Sequence, residues 1–166
     1  ILAVHHQSIF SRATKAAKEK IAAGDIGDLY LMRAYGKGRV ACSDLMEIAG
    51  HLVHLMSYVA GSEVVEVFGD VTVGGRNVTI EDAVRVQHLY PEGRDSGIGA
   101  GDRIFGRFKF ASGIRAELHL TQLSGAPSTF NEARNYGYCV EFLGTAGRLQ
   151  LYLPRVLFYN ASPLDD

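Results

Sequence analysis

The sequence predicts an α+β domain in which two early helices cover one face of a mostly antiparallel sheet. Three observations carry that expectation. Apolar residues recur at helical spacing in two segments before Gly61, and at a period of two after it. Glycine is frequent, at 19, and proline scarce, at 4, which fits many tight turns between strands. The segment FGRFKFASGIRAELHL alternates on both sides of a central Ala-Ser-Gly, the pattern of a hairpin.

Taken in order, the opening run ILAVHH reads as a short strand buried on both faces. A helix follows, capped by Ser8 or Ser11, filled with Ala, Lys and Glu, and ended by Gly24. LYLMRAYG, residues 29–36, reads as a strand. A second helix runs from about Asp44 to Ala60, with Gly61 as its C-cap. Val65, Val67, Val71 and Val73 then alternate with polar or small residues, as do Val84 and Val86 about Arg85. In the hairpin, Phe108 and Phe110 alternate with Arg107 and Lys109. Ile114, Ala116, Leu118 and Leu120 alternate with Arg115, Glu117 and His119. Further strands are expected at Tyr138–Leu143, Leu149–Leu153 and Val156–Tyr159, with Gly144 and Gly147 marking a turn. Hairpin strands normally leave one face to water. This one has enough apolar and aromatic character that another subunit is expected to cover it.

A chain of 166 residues bounds the molecule to a single domain, 1–166, with its own core. Hydrophobic residues make up 47% and charged residues 21%, ordinary for a globular fold. The formal net charge of −1 argues against a nucleic-acid partner, which needs a clustered basic excess. No Lys/Arg run forms a membrane-surface patch, and no apolar run approaches a bilayer span. ILAVHHQ is too short for a signal peptide, and the chain lacks an initiator Met, so it reads as cut from something longer. Cys42 and Cys139 have no short metal-type spacing and make no disulfide framework. A reducing, cytoplasmic setting is therefore expected.

The second helix carries the unusual chemistry. At about 100° per residue, Glu47, His51, His54 and Tyr58 fall within a sector of about 60°. Leu45, Ile48, Leu52, Val53, Leu55, Met56 and Val59 fill most of the rest. A solvent-facing stripe would carry Lys, Glu or Arg in numbers. This one carries groups suited to proton transfer. A structural reading stands beside that: Asp44 and Glu47 fit a capping box, and helix histidines are commonly satisfied structural residues. A metal reading needs Glu47, His51 and His54 as ligands, yet no accepted zinc signature has this form. The functional reading pairs Glu47 with His51 at i and i+4. The carboxylate would set the imidazole tautomer, and the free nitrogen would accept a proton from a substrate hydroxyl.

Read together, several segments resemble the C-terminal domain of the Gfo/Idh/MocA oxidoreductases, the family of glucose–fructose oxidoreductase and inositol 2-dehydrogenase. ILAVHHQSIF looks like the strand that follows that family's nucleotide-binding domain. KEKIAAGDIGDLYLMRA is similar to its helix, its Gly-x-Ile-Gly turn and the next strand. EIAGHLVHLMSYVAGSEVVEV resembles its Asp-x-Gly-x-His-x-x-Asp helix, and FKFASGIRAEL and NYGYCVEFLGTAGRLQL resemble its later hairpins.

The resemblance implies a dihydrodipicolinate-reductase-like α+β domain with an open sheet face used for homo-oligomers. It also implies a Rossmann domain for NAD or NADP, preceding this one and absent from this chain. By position, Glu47 falls on the family's helix Asp, His51 on its His and His54 on its second Asp, which often contacts substrate. Tyr136 lies where relatives place a Tyr against a sugar or cyclitol. His6 and Gln7 fall on polar strand-end positions near cofactor and substrate. The expected assignments are therefore His51 and Glu47 as catalytic, and His54, Tyr136, His6 and Gln7 as substrate-binding. No cofactor-binding or metal residue is expected in this chain. Glu47 is one methylene longer than the usual Asp, and His54 replaces a carboxylate. The family's Glu-Lys-Pro lysine has no counterpart here. Gly97-x-Gly99-x-Gly101 is expected to be a turn rather than a nucleotide loop, since no helix follows it. A non-catalytic sugar-binding or dimerisation module, and a metal-dependent lyase or epimerase using Glu47, His51 and His54, remain as alternatives.

Overall fold

The computed structural model describes residues 6–38, 49–87, 95–122, 139–152 and 155–160. A one-turn 3-10 helix, Gln7–Phe10, leads into helix α1, Arg12–Ala22. Ser11 starts α1 because its extended backbone lets its Oγ accept from the Thr14 amide at 3.0 Å. The buried Thr14 hydroxyl donates back to the Ser8 carbonyl at 2.7 Å, which ties the 3-10 turn to α1. Strand β1 is Leu29–Gly38. Helix α2 is Gly50–Ala60, and it stops where Gly61 turns left-handed at φ 61° and donates to the Ser57 carbonyl. The expected start of this helix near Asp44 lies outside the described residues.

Eight more of the strands follow in order: β2 (Val64–Val73), β3 (Arg76–Asn77), β4 (Val84–Gln87), β5 (Asp95–Gly99), β6 (Arg103–Phe110), β7 (Arg115–Gln122), β8 (Cys139–Gly144) and β9 (Gly147–Tyr152). The last is β10 (Arg155–Asn160). The main sheet runs β10-β9-β8-β1-β7-β6-β2-β3, and β4 and β5 form a separate ribbon. Its described pairings are antiparallel except β1 with β7, which is parallel from Leu31↔Arg115 to Gly38↔Gln122. β1 is thus a seam between two antiparallel ribbons. The fold is the α+β layer expected, with a mostly antiparallel sheet.

Alternation decides the layers. Met32 and Ala34 of β1, Leu118 and Leu120 of β7, Val140 and Phe142 of β8, and Leu149 and Leu151 of β9 point to one face. There they join Ala13 and Ala17 of α1 and Leu52, Leu55, Met56 and Val59 of α2 in one core. Both helices therefore cover the same face. Among the described residues they reach β7, β9 and β10, and Val65 and Val67 of β2 are 58% and 64% exposed. The period of two read there is real, interrupted by a bulge between Val64 and Glu66, but it does not report burial.

The link from α1 to β1 docks on the β8–β9 turn. The Ala146 amide donates to the Ile26 carbonyl at 2.8 Å, and the Thr145 amide to the Asp28 carbonyl at 3.1 Å. Ile26 is fully buried beneath this junction. Among the described residues, no helix is long and apolar enough to cross a membrane.

Candidate functional site

His51 and His54 stand three residues apart on α2, so their side chains share a face. The third member comes from 48 residues upstream of His54. His6 precedes the 3-10 turn, which the Thr14–Ser8 hydrogen bond holds against α1. That anchor delivers the His6 ring edge-on to both α2 histidines. Its centroid lies 5.1 Å from His51 at an interplanar angle of 61°, and 4.7 Å from His54 at 63°. His6 Nδ1 and His54 Nδ1 are 2.5 Å apart. All three residues are half-buried, and the Nδ1 atom of His51 is shut off from solvent. The His6 ring lies against the first turn of α2: a Cβ at Gly50 would make ordinary van der Waals contact with His6 Nε2, at 3.7 Å.

The structure thus brings together His6, His51 and His54. Gln7 is exposed at the start of the 3-10 turn. Glu47 and Tyr136 lie outside the described residues. Tyr58, the last member of the helical stripe, is engaged by α1. Lys18 Nζ sits 3.7 Å from its ring centroid and donates to its carbonyl at 2.8 Å. The direct His6–His54 contact had no signal in the sequence, because nothing local relates the two positions. Among the described residues, no three His, Cys, Asp or Glu gather as metal ligands.

Gly97 and Gly99 lie in β5, and the chain passes through Gly101 into strand β6 rather than a helix. Gly101 is required sterically: at φ 99° its Cβ would lie 2.5 Å from Val71 Cγ1. This stretch does not have the strand–turn–helix geometry of a dinucleotide loop.

The sheet face away from the helices is the second feature. Across it run two rows of cross-strand neighbours. One reads Gln150, Glu141, Arg33, Glu117, Arg107 and Phe68. Within it, Gln150 Nε2 donates to Glu141 Oε1 at 2.5 Å, Arg33 Nε to Glu117 Oε2 at 3.1 Å, and the Arg107 guanidinium lies 5.0 Å from the Phe68 ring. The next row reads Tyr152, Cys139, Tyr35, His119, Phe105 and Asp70. His119 stacks on Tyr35 and tilts against Phe105. A depression of about 330 Å³ opens there, between Tyr35, Asp70, Arg103, Phe105, His119 and Thr121. Burial and then the Glu141 carboxylate push the Tyr35 phenol above its ordinary pKa, and burial likewise raises the Cys139 thiol.

Residues 14–150 match the family model described as the GFO/IDH/MocA C-terminal domain. No curated protein matches the sequence. Among solved structures, the chain is similar to an NAD binding oxidoreductase from Klebsiella pneumoniae, with 20% identity and a TM-score of 0.66 over 98% of this chain and 44% of that one. It is similar to the WlbA dehydrogenase from Bordetella pertussis, solved with NADH and UDP-GlcNAcA, with 17% identity and a TM-score of 0.63 over 98% and 48%. It is also similar to a super-repressor mutant of Gal80p from Saccharomyces cerevisiae, with 14% identity and a TM-score of 0.60 over 96% and 46%. At these identities the likeness is one of fold, and the chain spans less than half the length of each of these three structures.

Proposed function

This chain belongs to the GFO/IDH/MocA C-terminal domain family, and from that premise we propose that it forms the substrate side of an NAD(P)-dependent oxidoreductase acting on a sugar or cyclitol hydroxyl. The observation that supports this reading best is the gathering of His6, His51 and His54 in one half-buried cluster. Imidazoles exchange protons near neutral pH, and hydride removal from a carbinol needs a group to take the hydroxyl proton. The chain offers that group but no dinucleotide loop among its described residues. It fits the reacting end of a nicotinamide cofactor rather than the phosphate end. NAD(P), held by a companion nucleotide-binding domain, supplies the hydride acceptor.

His51 takes the hydroxyl proton. With Nδ1 shut off from solvent, the exchange falls to Nε2. Glu47, four residues earlier in the sequence, is the carboxylate assigned to favour the imidazolium that results. His54, His6, Gln7 and Tyr136 offer polar groups to neighbouring hydroxyls of the substrate. A second copy of the chain covers the open sheet face. The row Glu141, Arg33, Glu117, Arg107 alternates in sign, so it meets its own reverse with opposite charges, as a two-fold interface requires. On its own the chain supplies one wall of the pocket and is inactive.

The test is His51→Ala in the full-length protein. Turnover falls by about 10²–10⁴ while NAD(P) binding survives. Turnover equal to the wild type would remove His51 from the reaction. A second reading, a non-catalytic sugar-binding or dimerisation module, is favoured by one observation: a fold neighbour is described as a repressor mutant rather than an enzyme. It predicts that Glu47→Gln is without effect and that the full-length protein binds no nucleotide.

A further inference from the structure

The His6 and His54 Nδ1 atoms lie 2.5 Å apart. Two ring nitrogens at that separation cannot both present lone pairs, and they cannot both carry hydrogens. One Nδ1 holds a proton and the other accepts it. This couples the tautomers of two residues that are 48 positions apart. In the neutral pair, the donating ring has a bare Nε2, and the accepting ring must carry its own hydrogen on Nε2. A further proton can enter only at the bare Nε2. The donating ring then becomes an imidazolium whose Nδ1–H makes a charge-assisted bond to its neighbour. A second added proton would have to break the contact. Of the described elements packed here, α2 contributes His51 and Tyr58, and α1 contributes the Lys18 ammonium over the Tyr58 ring.

We propose that His6 and His54 share one proton between their Nδ1 atoms and act as a single one-proton store beside His51. The store rests on the dehydrogenase reading above; the shared proton does not. In the oxidative direction, the carbinol carbon loses hydride to the nicotinamide cofactor and its oxygen loses a proton to His51. His51 hands that proton to the bare Nε2 of the dyad, which returns it to water after the product leaves. One proton enters the dyad and one leaves, and no electrons pass through it. His6 fixes the tautomer of His54 through that shared proton.

The primary experiment is NMR of the full-length protein labelled with ¹⁵N-histidine, without substrate or cofactor. The expected signature is one ring proton coupled to two different Nδ1 nuclei. It is absent in His6→Ala and in His54→Ala and retained in His51→Ala. Two rings that both carry hydrogen on Nε2 with bare Nδ1 atoms, or no coupling in the folded wild type, would overturn the dyad. The second measurement is kinetic. His6→Ala lowers kcat about tenfold and changes the solvent isotope effect on kcat, a change that loss of a substrate contact alone would not produce. A change in KM alone would overturn the storage role. If the full-length protein shows no dehydrogenase activity while the shared proton is present, the functional reading fails and the shared proton stands.

Discussion

Tyr35 stacks on His119 across the parallel β1–β7 seam, with ring centroids 5.4 Å apart and planes 20° from parallel. This pair floors the depression on the open sheet face, beside a row of alternating charge. A face with that much aromatic surface and a self-complementary charge order fits a second copy of the chain.

Adjacent residues on β2 give a face-specific test. Phe68 belongs to the charged row of the open face and is 50% exposed, whereas Val67 points to the opposite face and is 64% exposed. Phe68→Asp in the full-length protein shifts the molecule toward monomer in sedimentation velocity. Val67→Asp leaves its assembly state unchanged. Equal effects of the two, or none from Phe68→Asp, would discard the open face as the interface.

The junction of the α1–β1 link with the β8–β9 turn depends on a missing side chain. A Cβ at Gly144 would overlap the Ile26 carbonyl and stand 2.9 Å from Ile26 Cγ1. Gly144→Ala therefore costs about 1–3 kcal/mol of stability. Gly69, in β2, has nothing within 4 Å of its Cβ position and no positive φ, so Gly69→Ala stabilises by about 0.5 kcal/mol. Urea unfolding of both variants checks the ordering, which fails if Gly69→Ala is the more damaging change.

Two neighbours on the open face make the fold sensitive to alkali. Burial raises both the Tyr35 phenol and the Cys139 thiol above their ordinary values, and the Glu141 charge pushes each in the same direction. The folded state then holds these protons at a pH where the unfolded chain has released them. Their contribution is complete below the unfolded values and declines as pH rises past them, from about pH 9 upward. The urea midpoint should fall between about pH 8 and about pH 10, and fall less in Cys139→Ser. A midpoint that rises over that interval contradicts the assignment. At neutral pH, alkylation of Cys139 should be slower in the folded than in the urea-unfolded protein, read by mass spectrometry.

Much of the fold was legible because its signals are local. Ser11 and Gly24 bracket α1, Gly61 ends α2, and the period of two on either side of Ala111–Gly113 is the β6–β7 hairpin. β3 and β5 were missed. β3 has two residues and β5 contains two glycines, so neither shows a hydrophobic period. The valines of β2 were legible as a strand, but their exposure was not, since it depends on how far α1 and α2 reach across the sheet.

By itself the sequence determined the α+β class, the hairpin, the helical stripe bearing His51 and His54, and the family resemblance. Each depends on spacing within a segment or on the order of segments. Tertiary structure alone decided that β1 meets β7 in parallel, that Tyr35 stacks on His119, and that His6 reaches His54. These contacts join residues tens of positions apart. Hydrophobic burial, being non-directional, leaves such pairings open until the helices and sheet have chosen their faces.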